Sequence, residues 1–289
     1  MTAPVSTFPW RDSLLTALAP AIWGSTYIVT SEILPPDRPF TAALIRALPA
    51  GILLVLLTRK LPLRQDWLRL LILSALNIGV FQALLFVAAY RLPGGLAAVL
   101  GAIQPLLVMV LVWAVDGKSP AQTTLWAAVA GVIGMAILLW SPQTQFEPIG
   151  VAAALLGAAS MAAGIWLTRR WQVRLPVLAL TGWQLLLGGA MLAPVAYLVD
   201  APLPHLTATQ FLAYAYLCLA GALLAYVLWF RGIVRLPTVA VASLGLLSPL
   251  TAVILGWALL SQAMSGSALV GLLIVLVSVF AVQWTSSKR

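Results

Sequence analysis

The sequence predicts an all-α integral membrane protein of ten transmembrane helices, arranged as two inverted five-helix repeats with both termini cytoplasmic. Three observations lead there. Of 289 residues, 62% are hydrophobic and only 8% are charged, against roughly 25% charged in a soluble domain; the mean hydropathy is +1.05. The apolar residues fall into ten runs separated by Pro, Gly and charge. One phrase is also written twice: RLPGGLAAVLGAIQP at 91–105 returns as RLPTVAVASLGLLSP from residue 235, a shift of 144.

The runs lie near 14–34, 40–58, 67–90, 94–115, 121–140, 148–168, 176–199, 208–230, 237–260 and 266–284. Each is close to the ~17–25 residues that a helix needs to cross ~30 Å of hydrocarbon. The first begins near Leu14, after Arg11-Asp12. It lacks a basic leader and an A-x-A end, so it reads as a retained span. Connectors are short, which makes sequence neighbours antiparallel hairpins, and no run suggests a soluble domain.

Orientation follows from the positive-inside rule. With the N-terminus in the cytoplasm, thirteen of the 16 basic residues collect inside: Arg11, Arg59, Lys60, Arg64, Arg69, Lys118, Arg169, Arg170, Arg174, Arg231, Arg235, Lys288 and Arg289. Arg38 and Arg91 fall outside, and Arg46 lies within a span. This asymmetry accounts for the net charge of +9 without nucleic acid or another anionic partner; the expected partners are the bilayer and a small-molecule substrate. The single cysteine, Cys218, excludes an internal disulfide, and the single histidine, His205, sits in a Pro-flanked loop. No cofactor or metal site is expected.

Between residues 91 and 114, eleven of 24 positions repeat at the 144 offset, among them Gly101/Gly245, Pro105/Pro249 and Trp113/Trp257. Such a match marks a duplication, with repeats at 1–142 and 143–289. Five spans per repeat is an odd number, so the second repeat enters the membrane upside down. Inverted repeats are the mark of alternating-access carriers, with the substrate at the repeat interface near midplane.

The residues then resemble a known family. Trp23-Gly24-Ser25 in the first span, Arg46 in the second, and AAYRLPGGLAAVLGAIQPLLVMVLVWA with Pro105 resemble the EamA-type unit of the drug/metabolite transporter superfamily. Spans six to ten look like a weaker second copy. The nearest branch is the aromatic amino acid exporters of the bacterial inner membrane. The resemblance implies a ten-helix, inner-membrane carrier moving amino acids or related metabolites outward. One departure stands out: where the family often has Gly-Glu after its fourth helix, this chain has Asp116-Gly117-Lys118 and, in the second repeat, Leu260-Ser261-Gln262.

Candidate substrate-binding residues are the polar and aromatic groups inside spans: Trp23, Tyr27, Asn77, Gln82, Gln104, Trp166, Trp183, Gln184, Tyr226 and Ser248. Buried amides need partners, either across helices or in a substrate. Under the offset Gln82 matches Tyr226 and Gln104 matches Ser248, as a shared central cavity would require. Arg46 is either an interfacial anchor, by snorkelling, or the counter-ion of a substrate carboxylate. Gly150, Gly157 and Gly164 form a small-residue stripe for close helix packing, and Pro105 and Pro249 are the expected hinge pair. All seven acidic residues fall at span ends or in loops, which favours a facilitator or exchanger over a proton antiporter. An enzyme is excluded by the absence of G-x-S-x-G, H-E-x-x-H and clustered carboxylates. A drug or nucleotide-sugar carrier and a channel remain the alternatives, and a monomer is the expected working unit.

Overall fold

The computed structural model describes residues 9–91, 100–139, 147–260 and 266–287, and every regular element among them is helical. In chain order the elements are α1 (Pro9–Glu32), α2 (Pro39–Thr58), α3 (Trp67–Ser74) after a 3₁₀ turn (Arg64–Asp66), and a π-turn (Ala75–Gly79) leading into α4 (Val80–Arg91). Then come α5 (Gln104–Asp116), α6 (Gln122–Leu139), α7 (Pro148–Trp171), α8 (Val177–Val199) and α9 (Ala208–Tyr216). A second π-turn (Leu217–Leu224) joins α9 to α10 (Ala225–Arg235), followed by α11 (Thr238–Leu244), α12 (Leu247–Leu260) and α13 (Gly266–Ser287).

Eight helical rods are long and apolar enough to cross a membrane; two shorter apolar helices, Gln104–Asp116 and Gln122–Leu138, stand at the expected fourth and fifth spans. The sequence-based ranges of those two run into 92–99 and 140–146, outside the described residues. The expected eighth span ended at 230, whereas α10 continues to Arg235, and α7 reaches Trp171. Arg169, Arg170 and Arg235 thus sit in last helical turns, where cations favour the negative end of the helix dipole.

Helix ends follow local chemistry. Glu147 caps α7 by accepting from Gly150 N at 2.5 Å, with Pro148 at the first position; Thr207 and Gln210 form a reciprocal capping box on α9. Arg59 and Gly117 close α2 and α5 in left-handed conformations, satisfying carbonyls the helix leaves open.

Two irregularities recur in both halves. The π-turn at 75–79 falls, under the 144 offset, at 219–223, inside the second π-turn. The helices that carry Pro105 and Pro249 both break beside the carbonyl that the proline blocks. Around Pro105 the ladder tightens to Ile103 N→Leu100 O and Leu106 N→Ile103 O; around Pro249 it reads Gly245 N→Ala242 O, Leu246 N→Ser243 O and Ser248 N→Gly245 O. Proline lacks the N–H and its ring collides with the carbonyl four residues back, here Gly101 and Gly245.

Packing is organised the same way in each half. α2 and α8 pack together, as do α6 and α13; α1 packs on α10, and α7 on α4. The α2–α8 contact depends on glycine. A Cβ on Gly51 would fall on Leu186 N and lie 2.7 Å from Leu186 Cα, and one on Gly182 would lie 2.8 Å from Leu54 Cβ. Gly51→Leu is therefore expected to cost about 1–3 kcal/mol by overpacking and to lower the melting temperature in detergent. Gly101→Ala, with nothing within 4 Å of its Cβ, serves as the neutral control.

Candidate functional site

The centre of the molecule forms where α1, the α9–π–α10 rod and α4 meet. Gln82 Nε2 donates to Tyr226 Oη at 2.9 Å, both side chains buried. These residues are 144 apart, the offset of the repeated phrase. The Trp23 ring lies 5.0 Å from the Tyr226 ring and 5.2 Å from that of Trp229, and Tyr226 stacks on Phe230 at 5.9 Å. Tilted aromatic pairs at these distances add about 0.5–1.5 kcal/mol each beyond their burial.

The π-turn explains how Trp23 is held. A π-turn takes one carbonyl out of the normal ladder, and Gly221 O, inside the second π-turn, accepts from Trp23 Nε1 at 2.9 Å. The first π-turn does the same with a different donor, for Ser160 Oγ bonds Leu76 O at 2.9 Å. In each case the donor comes from the leading helix of the opposite half.

Arg46 is half-buried and lies against Tyr226. Its guanidinium carbon stands 5.9 Å from the centroid of the Tyr226 ring, and a Cβ placed on Gly221 would lie 4.0 Å from Arg46 Nε. A cation at this range over an aromatic face, partly open to solvent, gains about 0.5–1 kcal/mol. Gln104 arrives from the broken fourth span: its Oε1 lies beside Gly245, at the break in the ninth, with the Trp229 ring at similar range. Ser248 contributes its backbone, where α12 crosses α1 over Gly24. Pro105 is buried between the breaks, and Pro249 is half-buried.

Four buried polar atoms here have no hydrogen-bond partner among the described residues: Gln82 Oε1, Gln104 Nε2, Arg46 Nε and Trp229 Nε1. They offer one acceptor and three donors around an aromatic wall. Leaving such groups unmade costs about 1–3 kcal/mol each, a cost that a bound polar molecule would remove.

Other sequence-expected residues do not join this centre. Asn77 and Gln184 form a second buried cluster, in which Asn77 Nδ2 donates to Gln184 Oε1 at 2.8 Å and to Thr168 Oγ1 at 3.2 Å. Gly164 of the stripe makes room for it, since a Cβ there would lie 2.7 Å from Asn77 Cγ. Trp183 turns away, donating to Lys60 O at 2.9 Å and meeting Trp67 edge-on. It directly precedes Gln184 on α8, and successive helical residues point about 100° apart, so both cannot face one cavity. Trp166 lies near the end of α7, where it donates to Asp116 Oδ2 at 2.8 Å beneath the Arg170 guanidinium. The Tyr27 side chain lies outside the described residues.

Sequence reasoning missed Trp229, Phe230 and the π-turn carbonyls. Trp229 and Phe230 stand three and four residues after Tyr226, the spacing of one helix face, so this signal was present. Among the described residues, no three His, Cys, Asp or Glu side chains gather as a metal would need.

Comparison with known proteins gives the site its setting. The pattern of the EamA-like transporter family matches residues 11–140 and again 148–284. Protein PecM of Dickeya dadantii (strain 3937) is 45% identical over 268 residues, spanning 92% of this chain and 90% of PecM. The uncharacterized inner membrane transporter YedA of Escherichia coli (strain K12) is 30% identical over 252 residues, 84% of this chain and 81% of its own. A solved protein crystal structure superposes with a TM-score of 0.80 at 20% identity, covering 96% of this chain and 98% of that one, a likeness of fold alone. The chain belongs to the EamA-like transporter family and is a multi-pass inner-membrane transporter, not an enzyme.

Proposed function

We propose that the chain exports amino acids, aromatic or apolar ones favoured, or related small carboxylate metabolites, by alternating access as a facilitator or exchanger. The observation that carries this reading is the convergence of four unpartnered polar atoms on the Trp23–Tyr226–Trp229 wall. Arg46 supplies the counter-ion for a carboxylate, a charge-assisted contact; Gln82 Oε1 accepts from an ammonium; the indoles and phenol stack on an apolar or aromatic side chain.

The architecture we infer is ten spans in two inverted repeats, 1–142 and 143–289, both termini cytoplasmic. The repeated phrase, the paired π-turns and the paired helix breaks support it. A symmetry-related pair that touches lies on its axis, so Gln82–Tyr226 marks the pseudo-twofold axis. Pro105 and Pro249 are then matched hinges about the site. The carboxylates of Asp12 and Asp66, both buried, and of Asp116, partly exposed, all sit near helix ends beside arginines, which leaves no proton relay among the described midplane residues and favours substrate-driven flux. The proposed working unit is a monomer.

Radiolabelled Phe, Trp, Tyr and Thr should exchange across proteoliposomes with saturable, trans-stimulated kinetics and no imposed pH gradient, and a nucleotide-sugar should compete poorly. Arg46→Gln should raise half-saturation for these substrates about tenfold, the loss of one charge-assisted contact of about 1.4 kcal/mol. Unsaturated flux, or flux that requires a pH gradient, would overturn the carrier or the facilitator reading respectively.

A further inference from the structure

A second polar site lies far from the aromatic centre, where the start of α3 meets the end of α7. Gln65, Asp66 and Arg69 come from the turn into α3, and Arg170, Gln172 and Arg174 from the end of α7, around a cavity of about 450 Å³. We propose that this cavity binds the phosphate-bearing headgroup of an anionic phospholipid.

Three guanidinium groups face one carboxylate here. Asp66 is 2% exposed and stands 3.6 Å from Arg69, yet Arg69 keeps half its side chain exposed. Arg170 is paired with Asp116 and is likewise half exposed. Arg174 has no ion-pair partner among the described residues, and it is exposed. The cavity therefore holds more positive charge than its own carboxylates neutralise, and a phosphodiester, singly charged with two free oxygens, matches the excess. The chain is bent to make this so. Gln172 adopts a left-handed conformation, φ 45°, rarely taken by residues other than glycine, and this reversal brings Arg174 round towards Arg69.

The surroundings favour a lipid over a free anion. Leu68, Leu71 and Ile72, flanking Arg69 on α3, are 68%, 39% and 36% exposed. Trp67 and Trp171 are half-buried at the same level, the place of tryptophan at a membrane interface. An amphiphile can set its headgroup among the arginines and its chains along that apolar flank; free phosphate uses only the first. By the positive-inside count this is the cytoplasmic leaflet, the one with anionic surface charge. At the Asp12–Arg231–Arg235 cluster, by contrast, one buried carboxylate already pairs with both arginines.

Native mass spectrometry of the delipidated full-length protein in detergent tests the assignment. Phosphatidylglycerol should be retained about tenfold more than phosphatidylcholine, and glycerol 3-phosphate or inorganic phosphate at equal concentration should displace little of it. In the folded fraction, Arg69→Gln with Arg174→Gln should abolish the preference, and Arg174→Gln alone should weaken it with an unchanged melting temperature, while the same-face control Arg59→Gln with Lys60→Gln should keep it. Equal retention of both lipids, equal loss in the control pair, or full displacement by glycerol 3-phosphate would each overturn the proposal.

Discussion

Tyr226→Ala is expected to reduce substrate flux by about a hundredfold or more, and Tyr226→Phe by about tenfold, with the folded protein still recoverable in detergent. Tyr226 is 1% exposed and touches four components of the site: the Gln82 amide at 2.9 Å, the Trp23 and Phe230 rings, and the Arg46 guanidinium. Phenylalanine keeps the ring contacts and removes only the hydroxyl. Gln82 Oε1 already lacks a partner, so the hydroxyl's loss strands both ends of that amide in a site closed to water. About 1–3 kcal/mol for the newly unmade bond corresponds to roughly five- to 150-fold, of which the lower part is expected because the amide can rotate. Alanine also removes a buried ring, about 3–5 kcal/mol on large-to-small scales, and leaves Arg46 facing a void. Flux per folded molecule separates transport from stability, with the folded fraction read from size-exclusion chromatography. Unchanged flux in Tyr226→Phe would show that the Gln82–Tyr226 bond has no part in the cycle, and the site assignment would lose its centre.

The sequence carried the membrane fold plainly because a bilayer accepts few solutions. Every backbone group must be satisfied within the segment, so an apolar run of 20 residues such as 39–58 has little option but a helix. The repeated phrase carried more than homology: the offset that aligned RLPGG with RLPTV also paired Gln82 with Tyr226, and the structure joins those two side chains directly. The amides of Asn77, Gln104 and Gln184 were legible as buried polar groups, but not their grouping. Which face a residue takes depends on helix phase, and each π-turn inserts an extra residue into a rod and rotates everything after it. No residue type in ALNIG or LCLAGALL announces that insertion, so Gly221 O and Leu76 O could not be foreseen as acceptors. Trp183 and Trp166 were grouped with the site because aromatic residues within spans look alike in sequence, whereas their positions near Lys60 and Asp116 depend on tertiary packing. Arg46 was open between two readings because a flexible four-bond side chain reaches either the interface or the core from the same Cα; its guanidinium stands 5.9 Å from the Tyr226 ring centroid.

Removal of the Asp12 carboxylate is the second change expected to have a large effect. Asp12, in the first turn of α1, is almost fully buried and accepts from Arg231 Nη2 at 2.5 Å, with Arg235 Nη1 at 3.5 Å. The neighbouring Ser13 donates to Gln283 of α13, which donates on to Ala240 O and Ser243 Oγ of α11. The start of α1 is thus tied to α10, α11 and α13 at one end of the bundle, with the acid at a helix N-terminus and Arg235 at a helix C-terminus, the favourable placement for both dipoles. Asp12→Ala leaves Arg231 only 23% exposed and facing Arg235 without a counter-charge. Breaking a buried pair by removing one partner costs about 3–5 kcal/mol; the partial exposure of Arg231 lowers that to about 2–4. If α1 separates from α10 when the site opens to this side, the same energy shifts the open population about thirtyfold or more. A cysteine replacing Thr16, fully buried against Gly232 behind the pair, in a Cys218→Ala background, should then react with a polar maleimide at least tenfold faster in Asp12→Ala than in the parent. The exchange Asp12→Arg with Arg231→Asp should recover part of the protection, and only part, because Arg235 then opposes the new arginine. A double-mutant cycle should return a coupling of about 1–3 kcal/mol. Equal labelling in all backgrounds, or strictly additive effects, would mean that the pair merely decorates the helix ends and does not hold that side shut.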